Sequence, residues 1–425
     1  MNFSTKAIHE GWSKANSVRA VPVHRTTAYN FKDTTHAANL FALKELGHIY
    51  SRLNNPTQDV LEARMTALEG GTGALALASG TAAIFNSIIN VAKHGDEIVS
   101  SSELYGGTYT QFKDILPQFG IKVVYVDPHD LKAWKAASNG KTRAFYYETI
   151  GNPSLKVPDM DAIAKIAQEV HVPVIVDATF TTPYLLSTLE HGADIAIHSL
   201  TKWICGHGTG VGGIVVESGK FDWTDPKFAT FNEPDTGYHG LRYAHDLGDL
   251  SPLAFVLRMR LVQLRNLGAC MSPDNEWIFL QGLETLALRM QQHSANAARV
   301  AEHLSSHPSV SWVRYPGLKK DNENYTTAAK YLKKGFGGMV VFGIKGGKDA
   351  GIRFIESLEL FSHVANVGDA KSLAIHPPST THSQLSEEHL KKAGVGTDLI
   401  RLSVGIEDID DILYDLDGAL MKATA

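Results

Sequence analysis

The chain has 425 residues, which predicts two or three domains with room for a large core. Its 40 basic and 45 acidic residues give a net charge of −5, so no basic surplus favours nucleic acid or an anionic membrane. Two cysteines, Cys205 and Cys270, exclude a disulfide framework and a cysteine-rich metal site.

The first 58 residues carry Gly, Pro, Asn and Thr at many positions and lack periodicity. They read as an extended N-terminal arm (1–58). No run there has signal-peptide length, and nowhere do ~18 apolar residues occur together, so no membrane partner is expected and the cytoplasm is the default location. A helix is expected over Asp59–Leu68, with Asp59 as N-cap and Gly70-Gly71 as its stop. Short apolar runs then alternate with amphipathic stretches. Strands are predicted at Ala74–Ala78, Glu97–Ser100, Lys122–Val126, Arg143–Tyr147, Val172–Asp177, Asp194–Ile197 and Gly213–Val216, with helices including Ala82–Ala92 and Pro158–Val170. Such alternation implies a mostly parallel sheet covered on both faces. Residues 218–275 read as irregular structure followed by helix. A long helix is expected from about Leu283 to Leu304, then strands at Ser311–Tyr315, Gly338–Ile344 and Leu399–Ser403. The fold class is therefore α/β, with a large domain over 59–282 and a smaller α+β domain over 283–425.

Lys202 lies in His-Ser-Leu-Thr-Lys-Trp (198–203), shortly after an apolar run ending Val-Ile-Val-Asp-Ala-Thr (174–179). Its neighbours Leu200, Trp203 and Ile204 suggest burial, and a buried amine is costly unless paired or chemically used. In an open α/β sheet ligands sit at the carboxyl ends of strands. Three such ends carry polar groups: Ser79-Gly80-Thr81, Asp177 with Thr179, and Ser199, Thr201 and Lys202. Pyridoxal 5′-phosphate (PLP) requires such a set: a lysine to form an imine with its aldehyde, a carboxylate for its ring nitrogen, and short donors for its phosphate. A Ser-Gly-Thr opening a helix is suited to the phosphate, although it is also an ordinary N-cap. Tyr105 could stack on a pyridine ring or pack locally at the rim. Arg401, in a strand expected to be buried, needs an anion; a substrate carboxylate or a structural salt bridge would serve.

Gly208, Gly210 and Gly213 match G-x-G-x-x-G, but a β-branched run follows where a dinucleotide site needs a helix. This stretch reads instead as a turn passing close to Lys202. Nineteen histidines show no His-Glu-x-x-His spacing, and His376 and His382 lack helical spacing, so no metal is expected.

Taken together, Tyr-Ser-Arg (50–52), Asn-Pro-Thr (55–57), Leu-Glu (68–69), Ala-Ser-Gly (78–80), Tyr-Gly-Gly-Thr (105–108), Asp-Ala-Thr-Phe (177–180), Ser-Leu-Thr-Lys (199–202), Gly-His-Gly (206–208) and Arg-Leu-Ser-Val-Gly (401–405) resemble the cysteine/methionine-metabolism group of PLP enzymes. The resemblance spans nearly the whole chain. It implies the aspartate-aminotransferase-like fold (fold type I) and a homotetramer built from two catalytic dimers. It also implies roles: Tyr50 and Arg52 reach the phosphate of the neighbouring subunit, and Tyr105 stacks on the ring. Asp177 pairs with the pyridinium, while Ser199 and Thr201 join Ser79, Gly80 and Thr81 around the phosphate. Asn152 lies near the ring hydroxyl and the substrate carboxylate, which Arg401 and Ser372 hold.

Within the group, the chain resembles the O-acetylhomoserine sulfhydrylase branch. It is longer than a typical cystathionine enzyme, carries Pro-Asp-Thr-Gly-Tyr-His-Gly (234–240), and reads Asn-Val-Gly-Asp-Ala-Lys-Ser-Leu-Ala-Ile-His-Pro (366–377). Lys371 stands where the similar cystathionine lyases place Glu, and Gly107 where methionine γ-lyases carry Cys. The expected reaction replaces the acetyl group of O-acetylhomoserine by sulfide or a small thiol. The alternatives are a cystathionine γ-synthase, γ-lyase or methionine γ-lyase type of reaction at the same site, or a nucleotide-binding oxidoreductase or binding protein. One departure is Ala178, where the family usually has Asn.

Overall fold

The computed structural model describes residues 1–424 except 14, 321 and 381–395, so His382 lies outside the described residues. Seven strands form the larger sheet: β1 (Gly73–Leu77), β2 (Glu97–Ser101), β3 (Lys122–Val126), β4 (Thr142–Glu148), β5 (Val174–Asp177), β6 (Ile195–Ser199) and β7 (Gly213–Glu217). Their spatial order is β1-β7-β6-β5-β4-β2-β3. Strands β3, β2, β4, β5 and β6 run parallel, and β7 is antiparallel to both β6 and β1. Because β1 and β6 both oppose β7, they point the same way. The carboxyl ends of β1, β4, β5 and β6 therefore share one edge.

Side-chain alternation explains why this sheet lies inside. Ala74, Ala76 and Val176 face one apolar core, and Leu75, Leu77, Ile175 and Ile197 face the other. A parallel strand must be apolar on both faces when helices cover both. The smaller sheet holds β8 (Val310–Arg314), β9 (Met339–Ile344), β10 (Ser362–His363), β11 (Leu373–Ile375) and β12 (Leu399–Ser403), in the order β10-β11-β12-β9-β8. The helix Leu286–Ser306 joins the two sheets. Its first half (Leu286, Met290) packs into the large core, and its second half (Ala297, Val300, Ala301, Leu304) into the small one. Helix Ile409–Thr424 closes the small core with Ile412, Leu416, Ala419, Leu420 and Ala423, a stripe with helical spacing.

Two expected boundaries move. The helix placed at Asp59–Leu68 begins at Pro56 and ends at Glu69, and its N-cap is Asn55, whose side chain accepts from Thr57 N at 2.9 Å. Proline at the first helical position is preset for the helix, and Asp59 adds negative charge to the first turn. Gly70 stops the helix in the left-handed region, φ +74°. The long helix expected from about Leu283 to Leu304 runs Leu286–Ser306; a separate helix, Pro273–Glu284, capped by Ser272, precedes it across Thr285. Among the described residues no helix is long and apolar enough to cross a membrane, and no cluster of three or more His, Cys, Asp or Glu could hold a metal.

Candidate active site

At the carboxyl edge of the larger sheet lies a cavity of about 220 Å³. Its first wall is the turn from β1 into the helix Gly80–Val91. Ser79 is the N-cap of that helix, and its Oγ accepts from Ala82 N at 3.0 Å. The N–H groups of Gly80 and Thr81 have no acceptor within the helix, so this end is electropositive and donor-rich. The chain is pressed tightly here. A Cβ on Gly80 would stand 2.6 Å from Ser199 Cβ, and one on Gly213 would stand 2.2 Å from the Ser79 carbonyl oxygen. Glycine at both positions lets three segments converge on one anion-sized place, with Ser199 and Thr201 facing it.

The second wall carries the charges. Asp177 ends β5, with part of its surface on the cavity and the rest enclosed. It accepts from Thr179 N at 2.9 Å, and Thr179 Oγ1 in turn accepts from Ser199 N at 2.8 Å. Among the described residues no lysine or arginine pairs with Asp177. Burial raises its carboxyl above the usual range, opposed by the Thr179 hydrogen bonds and by His198. Such an acid lacks a cation. Ala178, between the acid and Thr179, is fully buried, and its N–H bonds to Ile197 O at 2.8 Å.

Lys202 hangs from the connection between β6 and β7, over the end of β6. Its amine is lowered from the ordinary lysine value by burial and, secondarily, by Arg401. Its Nζ donates to Asn366 Oδ1 at 2.6 Å. The glycine-rich stretch does pass beside it and runs into β7, a strand, which rules out a dinucleotide motif. Gly206, at φ +71°, leaves only 2.1 Å between a built Cβ and Arg289 Nη1.

Tyr105 lies on the cavity rim, about half exposed (49%), with its ring folded over Gly107. Arg401, on β12 of the smaller sheet, reaches across to the cavity and donates from Nη1 to Asn152 Oδ1 at 3.2 Å. Burial lowers its guanidinium to about 10, the state of a cation that wants an anion.

Two residues here escaped the sequence reading. Glu148, at the end of β4, pairs in register with Asp177 and lines the same cavity. Burial, then repulsion from Asp177, pushes its carboxyl well above the usual range, and it accepts from Tyr105 N at 2.6 Å. The register of strand ends is the signal that could have found it. Asn366 is the other; it opens the stretch Asn-Val-Gly-Asp (366–369), and no local pattern assigns it a role.

Three expected residues lie elsewhere. Ser372 is not at the cavity: its hydroxyl donates to Glu407 at 2.9 Å and accepts from Gly405 N at 2.9 Å, so it is occupied in tying down a turn. Tyr50 and Arg52 sit apart from their own chain's cavity. Tyr50 is 42% exposed, and Arg52 lies over its ring, 5.4 Å from the centroid, and donates to Arg265 O.

The donor set matches PLP group by group. The unpaired Asp177 carboxylate suits a ring nitrogen, the Gly80–Thr81 turn with Ser199 and Thr201 suits a phosphate, and the buried Lys202 amine suits an aldehyde. Comparison with known proteins agrees. Residues 4–421 match the family described as Cys/Met metabolism PLP-dependent enzymes. The chain is 53% identical to the O-acetyl-L-homoserine sulfhydrylase of Leptospira meyeri over 98% of its length and 96% of that protein's. It is 48% identical to the homocysteine synthase of Schizosaccharomyces pombe over 99% of each chain. A crystal structure of a candidate O-acetylhomoserine (thiol)-lyase from Campylobacter jejuni, carrying N′-pyridoxyl-lysine-5′-monophosphate, superposes with a TM-score of 0.94. That chain is 40% identical, and the match covers 99% of this chain and 100% of that one. A cavity built for a lysine-linked pyridoxal cofactor and a family match across nearly the whole sequence place this chain among the Cys/Met-metabolism PLP-dependent enzymes.

Proposed function

We propose that the enzyme replaces the acetyl group of O-acetyl-L-homoserine with sulfide or methanethiol, giving homocysteine or methionine and acetate (an O-acetylhomoserine aminocarboxypropyltransferase). The observation that carries the chemistry is a buried Lys202 amine and a buried, cation-less Asp177 carboxylate lining one cavity. The substrate assignment rests on the names of the relatives.

When bound, PLP draws off the negative charge that develops at the substrate's α-carbon. The protein does the rest. Asp177 keeps a proton on the ring nitrogen. Tyr105 covers one ring face, held by the bond from its N–H to Glu148. Arg401 and Asn152 grip the substrate carboxylate, which enters where they now bond each other. The Lys202 amine, neutral more often than an exposed lysine because of burial, takes the α-proton, passes it on, and, neutral again, takes a β-proton; both carbons regain a proton after the sulfur has added. Acetate leaves the γ-carbon with its bonding pair, and a sulfur nucleophile supplies a new pair to that carbon. The net exchange is one acetate out and one hydrosulfide or thiolate in.

The working parts are taken as an arm (1–58) that lends Tyr50 and Arg52 to a neighbouring subunit, a cofactor-binding domain (59–282) and a C-terminal domain (283–425), assembled as a cytoplasmic homotetramer. Exposed Lys371, in place of a glutamate, suits anionic sulfur nucleophiles better than a distal ammonium. The test is product analysis with acyl-homoserines and sulfur donors. Sulfide with O-acetylhomoserine should give mainly homocysteine, with little 2-oxobutanoate. Cystathionine cleavage as fast as sulfide addition would replace this reading with the lyase one. Borohydride treatment should fix the cofactor to the Lys202 peptide; recovery on another lysine sinks the lysine assignment.

A further inference from the structure

We infer that Asn366 is a positioning residue that orients the free amine of Lys202 as a base without fixing it as an ammonium. The inference rests on Lys202 serving as the base.

The contact is direct, Nζ to Oδ1 at 2.6 Å, between residues 164 apart in sequence. Asn366 belongs to the loop Ala365–Val367, which lines the same cavity as Asp177 and Thr179. That loop is tied down by two backbone bonds just after it. Gly368 N donates to Ser403 Oγ at 2.9 Å, and Ala370 N to Gly206 O at 2.8 Å. Gly368 itself, at φ +79°, lies so close to the lysine turn that a Cβ would stand 2.6 Å from Trp203 N. The amide is thus fixed relative to the backbone of the lysine it contacts.

A neutral amine has two N–H groups and one lone pair. An acceptor on one N–H leaves the lone pair free and directs it away from that acceptor. Asn366 Oδ1 is such an acceptor, and an amide oxygen carries no charge at any working pH. Besides Lys202 itself, the ionisable groups lining the cavity are Tyr105, Glu148, Asp177 and Arg401. Arg401 disfavours an ammonium on Lys202, and Asp177 is reserved for the ring nitrogen. A carboxylate at position 366 would reverse this balance by pairing with the ammonium. In the transfer itself, the C–H bond breaks, its pair stays with the substrate, and the proton joins the lone pair on Nζ.

The test uses Asn366→Asp, which keeps the shape, and Asn366→Ala. In the cofactor-free chain, trace acylation across a pH series, read by mass spectrometry of the Lys202 peptide, gives the amine's titration midpoint. Asn366→Asp should raise it by about one pH unit. In the loaded enzyme, exchange of the α-proton of L-norleucine in D₂O isolates the base step. Asn366→Ala should lower its plateau about tenfold, the loss of one orienting hydrogen bond. The acid limb of Asn366→Asp should move up with the labelling midpoint. An unmoved midpoint in Asn366→Asp, or unchanged exchange in Asn366→Ala, overturns the role of Asn366. The acylation measurement reads Lys202 even in a variant that loads cofactor poorly. Should the parent enzyme carry its cofactor on a different lysine, the base assignment itself fails, a result distinct from failure at Asn366 alone.

Discussion

Replacing Asp177 with Asn should pull activity and stability in opposite directions. In the cofactor-free chain the Asp177 carboxyl is raised by burial and has no partnering lysine or arginine among the described residues. A group whose folded pKa is raised gives its full stabilisation below the unfolded pKa of about 4, where it is protonated in both states. That stabilisation is lost as pH rises from the unfolded value toward the folded one, so above the unfolded value an ionisable Asp177 is a burden on the cofactor-free fold. Asparagine removes the charge and relieves Glu148, which Asp177 repels. Part of the Asp177 surface faces the cavity, so the gain is discounted to about 1–2 kcal/mol. For a chain of this length that is on the order of 1–2 °C in melting temperature. With PLP bound, the same change removes one half of a buried ion pair, a loss of about 3–5 kcal/mol. Placed on the chemical step, this is roughly a 10²- to 10⁴-fold fall in kcat. The assay is paired: melting of the cofactor-free and loaded proteins from pH 4 to 8, and kcat for sulfide addition. Melting of cofactor-free Asp177→Asn well below the parent at pH 7, or retention of more than a tenth of kcat, would refute the argument.

Other changes should separate the remaining roles. Arg401→Met should raise KM for the amino-acid substrate by roughly 10²-fold, the value of a charge-assisted bidentate contact, and leave the cofactor's visible absorption in place. Lys202→Ala should lose the lysine-linked violet absorption and essentially all turnover. Mixing Lys202→Ala chains with Arg52→Ala chains should recover part of the activity in hybrid dimers; hybrids that form but stay inactive would place both residues in one subunit's site. The acid limb of kcat/KM should shift to higher pH in Asn366→Asp, following the amine.

The strands of the larger sheet could be placed from sequence because parallel strands covered on both faces must be uninterrupted apolar runs, and Val174-Ile175-Val176 is such a run. Their carboxyl ends then located Asp177, Ser199 and the Ser79–Thr81 turn. The order of the strands could not be read this way. Nothing in Gly213–Glu217 announces that it inserts antiparallel between β6 and β1. Glu148 was missed for the same reason, since its place beside Asp177 depends on β4 and β5 being neighbours. Asn366 was missed because its role arises from a contact across 164 residues that no local pattern encodes. The place of Ser372 off the cavity lining was not legible either, because its hydroxyl partner, Glu407, lies 35 residues away. The early cap at Asn55 was hidden because Asn, Pro and Asp are all good helix starters in one short stretch.

Arg401 belongs to the smaller sheet, and Asn152, its hydrogen-bond partner, follows the larger one. On the proposed role of this pair, a substrate carboxylate entering between them would act as a bolt through two plates, gripped from both sides at once. Substrate recognition would then be a measurement of how the two sheets are set against each other. Substitutions deep in the smaller core, at Ile400, Leu402 or Leu416, touch no substrate, yet by tilting β12 they should alter which amino acids fit while leaving the lysine chemistry intact. Selectivity in this enzyme can then drift through packing far from the reacting atoms, on a different part of the chain from the one that holds the cofactor.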